Sequence, residues 1–231
     1  MNPESKSEYV RDVFTRIAPR YDLMNRLMTA GQDIAWRREV IQRAGLSAGS
    51  RLLDLGAGTG DLAREALAQQ PACRVIAADF TLGMMQAGKN RYAQPKVWSA
   101  ADALHLPFAD NSFDALVSGF LLRNVTDLPL ALREQLRVLK PGGRMVALDT
   151  TRPGKNLLTP FIRLHMRRII PLLGTLITGQ RDAYLYLPTS SENFLEAGAL
   201  AQEMEEAGFI EVGFKRRMFG TVAVHWGRKA G

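Results

Sequence analysis

An α/β fold, with a mostly parallel sheet flanked by helices, is what this chain of 231 residues predicts, and three observations carry it. A short apolar run, Leu52-Leu53 and Leu55, reads as a strand buried on both faces. It runs into Gly56, Gly58 and Gly60 at alternate positions, then into Asp61 to Gln70, where Leu62, Ala66 and Leu67 recur at helical spacing. A second apolar run, Val75 to Ala78, ends in Asp79, nineteen residues past Gly60. This strand, glycine turn, helix and strand would set bare backbone N–H groups and a helix N-terminus at the carboxyl edge of a sheet.

The chain opens with a helical arm over residues 1–47. Val10, Val13, Phe14 and Ile17 share one face of a helix over 5–18, which Pro19 ends. A short helix follows over Tyr21 to Thr29, and a third opens at Asp33, the expected N-cap. Such an arm either folds over the open edge of the sheet and shields a site, or only covers a sheet face. After the second strand (74–79) come a helix over Thr81 to Tyr92 and a third strand at 97–100, closing on Asp102 and Ala103. A fourth strand spans 113–118, and the loop Gly119 to Asp127 places Arg123 and Asn124 among apolar neighbours. A helix from Leu128 to Leu139, a Pro141-Gly142-Gly143 turn and a fifth strand at 144–149 continue the alternation. Residues 152–195 interrupt it. A helix over 196–207 stops at Gly208, and 209–216 with 219–226 alternate like a closing hairpin. The count is seven strands in one Rossmann-like domain spanning 1–231.

Composition narrows the function classes. With 46% hydrophobic and 23% charged residues the chain reads as an ordinary globular protein. A single cysteine, Cys73, excludes a disulfide framework and reads as a packed strand residue, and the three histidines make no metal-ligand spacing. The polar, acidic start Met1-Asn2-Pro3-Glu4-Ser5 is unlike a signal peptide and points to the cytoplasm. The net charge is +7, and six basic residues against one acid fall between Arg152 and Asp182. That stretch mixes its charge with Leu and Ile rather than with exposed aromatics, so a membrane surface fits it better than nucleic acid. Its internal Arg163, Arg167 and Arg168 argue against a spanning helix, and the segment is either a membrane-facing insertion or a lid with arginines reaching water.

The ligand follows from the loop. Asp79 at a strand end can accept hydrogen bonds from both hydroxyls of a ribose. The spacing G-x-G-x-G, with Asp61 where a dinucleotide fold has its last glycine, disfavours a pyrophosphate and hence a nicotinamide oxidoreductase. A positively charged nucleoside fits, and S-adenosylmethionine carries a sulfonium and an ammonium. The run Leu53 to Gly60 followed by Asp79 resembles the cofactor loop of class I methyltransferases. Asp54, Gly56, Gly58, Thr59, Gly60, Asp79, Phe80, Asp102 and Ala103 are accordingly the candidate cofactor residues.

Four further stretches resemble the menaquinone/ubiquinone-biosynthesis C-methyltransferases: Tyr21-Asp22-Leu23-Met24-Asn25 ending at Trp36, Phe120 to Asp127, Arg137 to Pro153, and Tyr184 to Ser190. The resemblance implies methyl transfer from S-adenosylmethionine to a ring carbon of a polyprenylated quinol, with cofactor contacts at Thr59, Asp79, Asp102 and Ala103. Peripheral attachment to a membrane surface is expected from the basic, apolar stretch 152–182, and a homodimer stays open. Gly119-Phe120 is similar to the demethylmenaquinone branch, whereas Asp33, Leu121, Asp149 and Thr151 depart from the family's usual residues. A phenol with a pKa of about 10 is scarcely ionised at neutral pH, so C-methylation needs a cation or base beside the hydroxyl. Arg123 is the candidate cation, Asn124 would orient the hydroxyl, and Tyr21 would close over the ring. Two rivals remain at this point: a methyltransferase acting on another lipid such as a phospholipid amine, and a non-catalytic S-adenosylmethionine-binding scaffold.

Overall fold

The computed structural model describes residues 3–152 and 190–231, with side chains from residue 8 onward. Three helices come first: α1 (Pro3–Ile17), α2 (Tyr21–Met28) and α3 (Gln32–Ala44). Strands and helices then alternate as β1 (Arg51–Leu55), α4 (Asp61–Gln69), β2 (Arg74–Asp79), α5 (Leu82–Arg91), β3 (Val97–Ala100) and β4 (Phe113–Gly119). They continue with α6 (Leu128–Val138), β5 (Leu139–Thr150), α7 (Ala197–Glu206), β6 (Ile210–Arg217) and β7 (Val222–Arg228). The seven expected strands form one sheet in the order β3-β2-β1-β4-β5-β7-β6, with β7 antiparallel to both neighbours. Residues 153–189, which carry most of the basic insertion and its Tyr184 to Ser190 stretch, lie outside the described residues. Among the described residues no helix is long and apolar enough to cross a membrane.

Period-two alternation explains the double-sided core. Leu52 faces α3 and α4 with Trp36, Ile41 and Leu62, while Leu53 and Leu55 face α6 and α7 with Leu132, Leu200 and Met204. The arm makes a third cluster, in which Val13, Phe14, Ile17 and Met24 close on Met84 of α5. Val13 and Ile17 are fully buried, and a buried side chain of this size contributes about 1.5–3 kcal/mol, so the arm is anchored to the body. Close approach of α5 to the glycine turn requires Gly88, where a Cβ would lie 2.6 Å from the carbonyl oxygen of Thr59.

Three expectations change. Asp33 is not the N-cap of α3; Gly31 is, with φ of 76°, and the buried Asp33 carboxylate pairs with Arg37 and with Arg26 at 3.4 Å. A carboxylate out of water takes a charged partner first. Strand β5 begins at Leu139 rather than 144, because Leu139 pairs with Phe113 ahead of the turn and a bulge absorbs the register shift before Ala115. Cys73 is buried but precedes β2, in a turn where its N–H bonds Gln70.

Candidate active site

The strand order reverses between β1 and β4, so the connections leaving their carboxyl ends part company and open a cleft there. Its floor is the glycine turn, where Gly56 and Gly58 have φ of 68° and 58°, a backbone that side chains disfavour. A Cβ at Gly56 would come within 2.9 Å of Leu121, and one at Gly58 within 3.1 Å of the Met84 methyl. Asp79, at the end of β2, accepts from Gly58 N at 2.7 Å through Oδ2 and from Thr81 N at 2.6 Å through Oδ1. Burial pushes its pKa up and these backbone bonds oppose the shift. Each carboxylate oxygen has two acceptor sites, which leaves both able to take a hydroxyl from the cleft that Asp79 lines. Phe80, half exposed at the rim, and Asp102 and Ala103 beyond β3 line the same cleft. Asp102 Oδ1 caps Leu104 N at 2.9 Å, which fixes that turn.

A second chamber continues behind the turn, sharing Tyr21, Gly56, Gly58, Gly119 and Phe120 with the cleft and adding Arg37, Asp54, Thr59 and Asp61. Asp54 accepts from Ala63 N at 2.9 Å through Oδ2, while its Oδ1 is buried with no partner. Burial, with Asp79 and Asp61 nearby, pushes its pKa up to about 7. An orphaned acceptor and a cradle that any side chain would fill suit a ligand carrying an ammonium. Thr59 lines this chamber and donates its hydroxyl to Asp22 Oδ1 at 2.7 Å, which ties the glycine turn to the arm and leaves the oxygen able to accept. Asp61 does not present a free charge to a ligand; Arg37 Nη2 at 3.0 Å and Arg64 both take it up. Gly60, with φ of 87°, starts α4 and lines neither compartment.

The arm lies over the open edge. Val10, Phe14 and Tyr21 line the cleft, and Asp22 fastens them by accepting from Thr59, from Arg91 Nη1 at 3.0 Å and from the Tyr92 hydroxyl at 3.3 Å. Across the cleft, Phe120 holds φ of 60°, a conformation costing an aromatic residue on the order of 1–3 kcal/mol. Two bonds pin it: its N–H to Leu148 O at 2.7 Å, and its carbonyl from Asn124 Nδ2 at 2.9 Å. Asn124 lines the cleft; Arg123 does not. The Arg123 guanidinium meets Asp149 Oδ1 at 2.6 Å, both side chains almost wholly buried, and its backbone N–H meets Oδ2 at 3.3 Å. It also lies 5.0 Å from the centre of the Phe120 ring. Burial pushes the Tyr21 hydroxyl up in pKa, while a hydrogen bond with Asn25 and the positive charges of Arg123 and Arg37 act against it. Among the described residues no cluster of His, Cys, Asp or Glu could hold a metal ion.

Sheet order, glycine turn, the acid that ends β2 and the buried acid near the end of β1 are those of a class I S-adenosylmethionine-dependent methyltransferase. Solved structures agree on the fold. A methyltransferase of Thermotoga maritima superposes with a TM-score of 0.66 at 19% identity, over 94% of this chain and 98% of its own. Human N-acetylserotonin methyltransferase, solved with the cofactor, gives 0.63 at 19% identity over 92% of this chain and 56% of its own. The chain belongs to the ubiE/COQ5 methyltransferase family, whose pattern matches residues 2–229. It is 46% identical to the ubiquinone/menaquinone biosynthesis C-methyltransferase UbiE of Desulfotalea psychrophila, over 97% of this chain and 92% of that one. It is 43% identical to the demethylmenaquinone methyltransferase of Roseiflexus castenholzii, over 99% and 97%.

Proposed function

We infer that this enzyme methylates a ring carbon of a polyprenylated quinol, taking demethylmenaquinol to menaquinol or performing the equivalent ubiquinone-pathway step. The observation that carries the reading is the apolar front of the cleft, where Val10 and Phe14 of the arm face Leu121 and Val125 of the loop. It suits a ring with an isoprenoid tail, and relatives named for this step match 97% and 99% of the chain. S-adenosylmethionine, when bound, supplies a methyl group activated by its sulfonium. Asp79 binds the ribose, Asp102 and Ala103 meet the adenine, Phe80 covers it, and Asp54 accepts from the ammonium. Arg123 lowers the pKa of the acceptor hydroxyl from behind the Phe120 ring, Tyr21 closes over the acceptor, and Asn124 keeps Phe120 in its left-handed conformation.

The enzyme works at a membrane surface, as the tail of the acceptor requires. The charge between Arg152 and Asp182 and the exposed Leu23 and Leu27 of α2 support this. The test offers short-chain demethylmenaquinol and a phospholipid amine side by side in anionic vesicles. A quinone product heavier by about 14 mass units, with the protein pelleting on the vesicles, is the expected outcome. Methylation of the amine alone overturns the acceptor, and turnover without pelleting overturns the membrane.

Cofactor binding is expected to release protons. With a pKa of about 7, Asp54 holds its proton in about half of the free chains at pH 7, and an incoming ammonium favours the ionised form. Calorimetric titrations at pH 7 in two buffers of different ionisation heat should therefore disagree, and should coincide for Asp54→Asn. Coincident heats in the unsubstituted protein would contradict the contact.

A further inference from the structure

We propose that Arg37 holds the carboxylate at the amino-acid end of S-adenosylmethionine. Adenosine at Asp79 leaves the cofactor's α-amino acid portion for the chamber behind the glycine turn. That portion is a zwitterion, and either charge taken out of water needs a partner. Asp54, with its orphaned Oδ1, answers the ammonium. For the carboxylate, Arg37 is the single cation among the described residues lining cleft and chamber. Its side chain is 9% exposed. Arg123 lines neither compartment, and its guanidinium pairs with Asp149.

Arg37 is built to receive one more anion. Asp33 takes Nη1, and Asp61 takes Nη2 at 3.0 Å, which leaves N–H groups of the five-donor guanidinium for a ligand. The two carboxylates lock the guanidinium's orientation, as a site for planar recognition requires. Charge agrees: among the described residues Arg26, Arg37 and Arg64 form ion pairs with Asp33 and Asp61, three cations on two carboxylates, while Asp54 in the same chamber is left for the ligand's ammonium. Asp33, placed where the family's signature differs, thereby becomes a positioning residue.

The test separates cofactor contact from bracing of α3 on α4. S-adenosylhomocysteine and 5′-methylthioadenosine share the adenosine and the sulfur, and only the first carries the amino-acid end. Arg37→Met is expected to weaken S-adenosylhomocysteine about 10- to 150-fold, the worth of a charge-assisted bond, and to leave methylthioadenosine within about twofold. Equal losses for both ligands, or none for either, would overturn the assignment. Should Arg37→Met fail to fold, Arg37→Lys is titrated with S-adenosylhomocysteine and its decarboxylated analogue. Removing the ligand's carboxylate should then cost the Lys variant less than it costs the unsubstituted protein; an equal cost in both overturns the proposal. Because Arg37 also balances the buried Asp33, the variant is expected to lose stability, and retained methylthioadenosine binding is what shows that the readout is local.

Discussion

Arg123→Ala is expected to lose turnover by a factor on the order of 10²–10³ and stability by about 3–5 kcal/mol, for two separable reasons. The first is chemical, since the guanidinium is the positive charge proposed to favour the ionised acceptor. Some of that loss should return as pH rises, because the acceptor then ionises unaided. The second is electrostatic. Asp149 is 1% exposed and receives Arg123 Nη1, Arg123 N and Thr150 N; without the guanidinium it is a buried, unbalanced anion. Asp149→Asn added to Arg123→Ala should restore most of the stability by removing that charge, while turnover stays low. Denaturant melts and steady-state rates on the single and double variants measure the two effects. A double variant that regains turnover would reduce Arg123 to a brace for its loop.

Asp79→Ala should lose cofactor affinity by roughly 10²–10⁴. Two ribose hydroxyls bonding one carboxylate contribute about 1.5–3 kcal/mol each, and both bonds go with the side chain. The same change strands Gly58 N and Thr81 N, which now bond Asp79, so the glycine turn loses its tether to β2 as well. Asp79→Asn keeps an acceptor for one of them and should fall between. Titration calorimetry with S-adenosylhomocysteine gives the affinities, and an Ala variant that binds as tightly as the unsubstituted chain would remove the ribose from Asp79.

What could be read from the chain was what is local. Leu52-Leu53-Asp54-Leu55 announces a buried strand because a parallel strand must be apolar on both faces, and three alternate glycines announce a turn that only they can make. Asp79 was legible for the same reason, ending one apolar run at a fixed distance from that turn. Partnerships between distant residues left no such trace. For Arg123 the sequence offers Asp127, four residues on, and Asp102 as carboxylate partners. Asp127 instead caps α6 through Leu130 N, Asp102 caps its own turn, and Asp149 arrives from β5 because that strand lies beside β4. Nothing in the sequence marked out the partners of Asp22 or Arg37, since Thr59 and Asp61 reach them only once the arm has folded back. Tyr21-Asp22 was visible as a signature, but not which side chain it would hold.

Asp22 gives the chain a shared fate across three distant stretches. One carboxylate answers Thr59, Arg91 and Tyr92, which stand 37, 69 and 70 positions further along. Any exchange at Asp22 deprives all three at once, and an exchange at one of the three leaves the carboxylate with fewer donors than its burial demands. Change at these sites is therefore collective: the four side chains are kept together or replaced together.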